Sequence, residues 1–308
     1  MSLPDLYPGF ETVTVDVGEV TLFARVGGPV GAPAVVLVHG YPQSHAMWHR
    51  IAPKLAETLR VVVVDLRGYG QSSVPAPEER HAQMSKRRMG ADIVALMAKL
   101  GAERFAFVGH DRGARVGYRL GFDQPERLTG LVLIDIVPTP VMWERMDATF
   151  SRKVYHWSFL AQAAPVPETL IAKAPIEHLF QTLAGWTVDK DLSAFDPGAL
   201  AHYRAYFRDP ARIAACCEDY RAGATIDVEH DEADRRAGRR ITVPTQIIWG
   251  SVGLPADAKA RESGPLVVWR DWCETLEGGP VEGGHFLAEE NPQATLALMQ
   301  PFLARVAD

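Results

Sequence analysis

Cysteine is scarce in this 308-residue chain: Cys216, Cys217 and Cys273 are the only three. An odd, sparse set with two adjacent members excludes a disulfide framework and does not fit a zinc-site spacing. No apolar run reaches the ~18–20 residues that a membrane span requires. Residues 1–17 carry Asp5, Glu11 and Asp16 and lack the basic-then-apolar pattern of a secretion signal. Positive charge is also short. The 32 Lys and Arg against 38 Asp and Glu leave a net charge of −6, with pI near 5.9. No global basic field therefore draws nucleic acid or an anionic membrane. Internal repeats and low-complexity tracts are absent. These absences lead us to expect a soluble, cytoplasmic protein, with the sparse thiols consistent with a reducing compartment. Any use of positive charge has to be local.

What the chain does have is apolar mass, at 47% hydrophobic residues. That is enough for a large core, and it favours one α/β domain with an insertion over two independent domains. Residues 12–17 alternate and read as a strand, with 20–26 as its hairpin partner. Ala34–Val38, Leu59–Val64, Phe105–Val108 and Leu128–Ile134 are apolar runs that suit buried parallel strands, and Ile241–Trp249 reads as a fifth. Helix-like segments at 46–57, 86–100 and 112–121 alternate with the earlier runs. The expected fold is α/β, a mostly parallel sheet flanked by helices. From Pro138 to about Gly238 no strand-like run occurs, and Trp, Tyr, His and Pro are frequent. We read residues 1–137 and 239–308 as the core and 138–238 as an inserted helical cap. Residues 229–240 are densely charged and read as a solvated helix returning to the sheet.

The most telling stretch is Val108-Gly109-His110-Asp111-Arg112-Gly113-Ala114-Arg115. It joins an apolar strand to a helix. Glycines two before and two after the central residue allow the tight turn of a nucleophile elbow. That residue is Asp111, not serine, and a carboxylate there attacks carbon directly and forms an ester on the enzyme. The plain alternative is a helix N-cap. Arg112 and Arg115, three apart on one helix face, can neutralise Asp111 or hold a small anion in a fork. His285, in Gly283-Gly284-His285-Phe286, is the candidate general base for water attacking such an ester. A base needs an acid to orient it. Asp135, directly after Leu131–Ile134, is preferred over Asp257.

His39-Gly40-Tyr41-Pro42, the Asp111 elbow and the late Gly-Gly-His-Phe together resemble the α/β-hydrolase fold. The Asp nucleophile narrows this to the dehalogenase and epoxide-hydrolase branch. Arg112 and Arg115 resemble the fluoroacetate (haloacetate) dehalogenases, whereas haloalkane dehalogenases and epoxide hydrolases usually place Trp after the nucleophile. The resemblance runs over nearly the whole chain.

This resemblance implies a small anionic haloacid substrate whose carboxylate is held by Arg112 and Arg115. It also implies a halide pocket of His156, Trp157 and Tyr220, whose imidazole, indole and phenol donors would replace the water around fluoride. The backbone N–H groups of Tyr41 and Arg112 would form the oxyanion site, and Trp186 would line the chamber. Tyr41 stands where the resemblance leads us to expect Phe; a phenol there narrows the pocket or adds a donor. No metal or organic cofactor is implied, and a homodimer is. The rival readings are an epoxide hydrolase or haloalkane dehalogenase, for which Tyr155, Tyr203, Tyr206 and Tyr220 could protonate an epoxide oxygen, and a non-catalytic ligand receptor of the same fold.

Overall fold

The computed structural model describes residues 3–252 and 264–307. Asp257 lies outside the described residues. Eight strands form one sheet: β1 Glu11–Asp16, β2 Thr21–Gly27, β3 Ala34–Val38, β4 Arg60–Val64, β5 Phe105–His110, β6 Leu128–Ile134, β7 Thr245–Gly250 and β8 Leu276–Val281. Their spatial order is β1-β2-β4-β3-β5-β6-β7-β8. β1/β2 and β2/β4 pair antiparallel; every later pair is parallel. The Val-rich central strands are buried on both faces, as a sheet covered by helices on both sides requires. Each such Val or Leu contributes roughly 1.5–3 kcal/mol by leaving water.

Two expected helices appear, as Lys86–Lys99 and Arg112–Asp123. The segment 46–57 is not one helix. It divides into a 3₁₀ turn, His45–Trp48, and a short helix, Ala52–Leu55, with Pro53 in its first turn. Proline has no N–H for the helical ladder, so a helix tends to begin there and not run through. The fifth run also starts later than its apolar pattern suggests. Ile241 makes only an isolated bridge to Cys273, and the strand proper begins after Pro244. Strand β8 carried no sequence signal, because its Leu-Glu-Gly-Gly-Pro-Val has neither alternation nor β-branched density.

Between β6 and β7 every helix or strand of the described residues is a helix, from Thr139–Glu144 to Ile226–Arg236. That last helix corrects the expectation of a solvated segment. Asp227, Asp231 and Asp234 are buried on one face. Asp231 accepts from the Tyr118 hydroxyl at 2.6 Å and pairs with Arg119 at 3.1 Å. Its charged residues thus lock it to the helix behind the elbow. Among the described residues no helix is long and apolar enough to cross a membrane.

Candidate active site

Asp111 sits between β5 and the helix Arg112–Asp123 with φ 49° and ψ −115°. Such a backbone is strained for a residue with a side chain and persists only where its surroundings over-determine it. The flanking glycines show how. A Cβ on Gly109 would lie 2.6 Å from the backbone of Gly113 and Ala114, and one on Gly113 would lie 2.5 Å from the carbonyl oxygens of Val38 and His39. Only glycine lets the strand, turn and helix approach so closely. Asp111 stands at the N-cap position, but its side chain makes no capping hydrogen bond to its own helix. Its Oδ1 instead accepts the Tyr41 N–H at 2.9 Å. His39 fixes that peptide, its Nδ1 meeting the Gly40 carbonyl at 3.0 Å while its Nε2 accepts the Leu66 N–H at 3.1 Å.

The other carboxylate oxygen, Oδ2, faces His285 Nε2 at 3.9 Å. That is too long for a hydrogen bond, and Nε2 is buried without a partner. On its far side His285 Nδ1 meets Asp135 Oδ2 at 2.6 Å. Asp135 Oδ1 accepts the Gly250 N–H at 2.9 Å, so the acid is anchored across β6 and β7. Burial alone would depress the His285 pKa, but the Asp135 hydrogen bond and charge, then the Asp111 charge, hold it above the usual histidine value. Burial would raise the Asp111 pKa, yet His285, His110, Arg112 and Arg115 together hold it below the usual carboxylate value. The pair is therefore an ionised carboxylate facing an imidazole that makes no hydrogen bond to it.

The two arginines differ. Arg112, fully buried, gives Nη2 to Asp219 Oδ1 at 2.6 Å and to the Asp219 carbonyl at 2.7 Å, and Nε to Oδ2 at 3.2 Å. Its fork is spent on Asp219, and only Nη1 is left without a partner. Of the Arg112 nitrogens, Nη1 is therefore the one free to meet a small anion. Arg115 gives Nη1 to the Val137 carbonyl and the Thr139 hydroxyl, each at 3.0 Å. It makes no ion pair among the described residues, and its Nε lacks a partner. Burial draws its pKa below the ordinary arginine value, whereas the charge of Asp219 pushes that of Arg112 up despite burial.

Aromatic rings wall the space above. Tyr220 lies 5.3 Å from Tyr41, 5.7 Å from His156 and 5.9 Å from Trp157, centroid to centroid. Trp186, half-buried, packs 4.3 Å from His156 and 5.3 Å from His285. Arg112 lies 4.3 Å over Tyr220 and Arg115 4.6 Å over Trp157, within cation–π range. His156 Nδ1 and the Tyr220 hydroxyl are buried without partners. Burial takes the His156 pKa down to about 3, so this imidazole is neutral at ordinary pH. Buried polar atoms in folded proteins are seldom left unpaired. Here Arg112 Nη1, Arg115 Nε, His156 Nδ1, the Tyr220 hydroxyl and His285 Nε2 are all unpaired around one carboxylate.

A model of the alpha/beta hydrolase fold family matches residues 33–292. The chain belongs to that family. It is 42% identical to a fluoroacetate dehalogenase of Burkholderia sp., over 97% of this chain and 95% of that one. It is 28% identical to a soluble epoxide hydrolase of Corynebacterium sp. (strain C12), over 88% and 90% of the two chains. A solved structure of a candidate epoxide hydrolase from Pseudomonas aeruginosa superposes with a TM-score of 0.91 at 41% identity, covering 98% of each chain.

In this α/β hydrolase, several positioning groups escaped sequence reasoning. His110, inside the quoted motif, holds the His285 carbonyl through Nε2 at 2.8 Å. Glu290 accepts the N–H groups of Gly284 at 3.0 Å and Phe286 at 2.8 Å, clamping the loop on both sides of His285. The Tyr41 hydroxyl meets His178 Nε2 at 2.9 Å, so the extra donor at that position is turned onto the helix Pro175–Trp186. Asp219 was also missed, although it directly precedes Tyr220.

Proposed function

We propose that this hydrolase cleaves the carbon–halogen bond of short 2-haloacids, with fluoroacetate the leading substrate and glycolate its product. The observation that carries this reading is a buried Arg115 without a counter-ion, beside an ionised Asp111 whose Oδ2 is unencumbered. A buried cation without an anion is costly, and a substrate carboxylate would complete it. With that carboxylate on Arg115 Nε and Arg112 Nη1, C2 comes against Asp111. Asp111 Oδ2 attacks C2, and the halide leaves with the bonding pair toward His156, Trp157 and Tyr220. His285 then takes a proton from water as its oxygen adds to the ester carbon of Asp111. The resulting oxyanion is Oδ1, already on the Tyr41 N–H, with the Arg112 N–H at the start of the helix beside it. On collapse the Cγ–Oδ2 bond breaks, the imidazolium returns its proton to the departing oxygen, and glycolate leaves with one water oxygen remaining on Asp111. The route uses no metal or organic cofactor. Residues 138–238 act as a cap over the core residues 1–137 and 239–308, and the homodimer implied by the resemblance belongs to the same proposal.

Incubation with fluoroacetate, chloroacetate, chloroacetamide and an epoxide panel tests it, reading halide and diol. Halide released from the acids and not from the amide is the expected result. The second reading, an epoxide hydrolase, is favoured by the unpartnered Tyr220 hydroxyl, which could protonate an epoxide oxygen. Diol formation without halide release from any haloacid would put that reading in its place.

A further inference from the structure

We infer that Asp219 is a positioning residue that keeps Arg112 off the nucleophile. This rests on the haloacid reading and extends it to a residue that touches neither substrate nor Asp111. The helix Pro210–Ala224 brings Asp219, with no exposed surface, onto Arg112 through three hydrogen bonds. The Asp219 carboxylate is itself fixed. The Tyr69 hydroxyl donates to its Oδ2 at 2.7 Å, and the Lys86 ammonium binds its Oδ1. Lys86 in turn lies 3.5 Å from Asp227. Gly223, one turn further along the same helix, lets the guanidinium pass, since a Cβ there would lie 2.9 Å from Nη2.

The charge balance gives this arrangement its consequence. Asp219 and Asp227 offset Arg112 and Lys86, leaving Arg115 and Asp111, which form no ion pair with each other, as the opposite charges that face the chamber. Arg112 follows Asp111 in sequence and already acts on its charge. Freed from Asp219, a buried guanidinium would seek the remaining carboxylate, because an unpaired buried charge is costly. Asp111 would then be ion-paired through the oxygen that has to attack C2. Asp219 thus both aims Nη1 at the substrate and preserves the nucleophile.

The test is Asp219→Asn in the presence and absence of Arg112→Leu. The readout is the single-turnover rate of aspartyl-ester formation with chloroacetate. In the native background Asp219→Asn should slow ester formation ~100-fold, the scale of a buried charge losing its partner, while ester hydrolysis is unchanged. In the Arg112→Leu background the same substitution should cost less than ~3-fold, because its target is gone. Equal losses in both backgrounds would reduce Asp219 to a structural role and overturn the inference. Tyr69→Phe, which loosens Asp219 without uncharging it, serves if Asp219→Asn does not fold. It should slow ester formation and spare hydrolysis; slowing both steps equally would again refute the role. If the native protein forms no ester from any haloacetate, the haloacid reading is what fails. A crystal structure of Asp219→Asn then decides separately, by showing Arg112 on the Asp111 carboxylate or still over the Tyr220 ring.

Discussion

On the proposed covalent route, replacing His285 with Asn should separate ester formation from ester hydrolysis, and the structure sets the size of the effect. His285 Nε2 stands 3.9 Å from Asp111 Oδ2 and donates no hydrogen bond to it, so ester formation does not depend on the imidazole for alignment. Its charge does help keep Asp111 ionised, but Arg112 and Arg115 remain to do so. We therefore expect ester formation to slow by no more than ~10-fold, about 1.4 kcal/mol. Hydrolysis loses its base outright, and general-base catalysis is worth ~10²–10⁴-fold, roughly 3–5 kcal/mol. The second step becomes limiting and the ester accumulates. Intact-mass spectrometry of His285→Asn after incubation with haloacetate should show one carboxymethyl group added, and peptide mapping should place it on Asp111. In the native protein, many turnovers in heavy-oxygen water should label the Asp111 carboxylate. A variant that stays unmodified while the native Asp111 stays unlabelled would mean that water attacks C2 directly, and the covalent route would fall.

The acid limb of ester hydrolysis should follow His285, which acts as a base only when neutral; the ester removes the Asp111 charge from it, leaving the Asp135 hydrogen bond and charge to hold its pKa up against burial. In Asp135→Asn that limb should move to lower pH, because burial then prevails, while the plateau falls ~10³–10⁴-fold; a pH profile of the single-turnover hydrolysis rate reads both. Arg112→Lys and Arg115→Lys should each raise KM for haloacetates. The Arg112 change should also destabilise the fold, measurable by urea unfolding, because Lys cannot reproduce its paired contacts with Asp219. His156→Ala or Trp157→Phe should cost about 3 kcal/mol in defluorination and much less in debromination, as fluoride relies most on donors in the transition state. Equal losses for fluoroacetate and bromoacetate would make these side chains merely walls of the cap. Gly113→Ala should destabilise by ~1–3 kcal/mol in a urea titration, since its Cβ would lie 2.5 Å from two backbone oxygens.

What could be read from the sequence follows the range of the interaction that creates each feature. Strands β3 to β6 are visible because Val, Leu and Ile runs report burial residue by residue. β8 is invisible because its pairing to β7 is carried by backbone, with Gly278 so close to Ile247 that a Cβ would lie 2.0 Å from its carbonyl oxygen. The elbow is legible in part for a related reason: Gly109 answers Gly113 and Ala114, a few residues on, although Gly113 answers Val38 and His39 from a distant strand. His285 and Asp135 could be picked out by their places after strands and glycines, although their hydrogen bond spans 150 residues. The charges were harder. A charged run looks solvated until its partners are known, and Asp231 and Asp234 find theirs in Arg119, more than 110 positions away.

Asp219 shows the consequence for function. Its bond to Arg112 spans 107 residues, and nothing in the local pattern Cys-Cys-Glu-Asp-Tyr marks one acid over the other. Yet Glu218 turns to His81, Gln83 and Arg221, while Asp219 turns inward. That one choice converts two apparently equivalent arginines into an anchored one and an uncompensated one. A chamber with two free guanidinium groups would favour a dianion or quench its own nucleophile. With Arg112 paired to Asp219, Arg115 is the chamber cation without an ion pair, and with Asp111 itself negative this suits a monoanion no larger than the ring wall of Tyr41, His156, Trp157 and Tyr220 admits. Selectivity for a small haloacid over a neutral halide would then rest on Arg115, and the exclusion of dicarboxylates on Asp219. Chloroacetate should therefore far outpace chlorosuccinate in the native protein, and Asp219→Asn should narrow that ratio more than a variant that merely widens the cap.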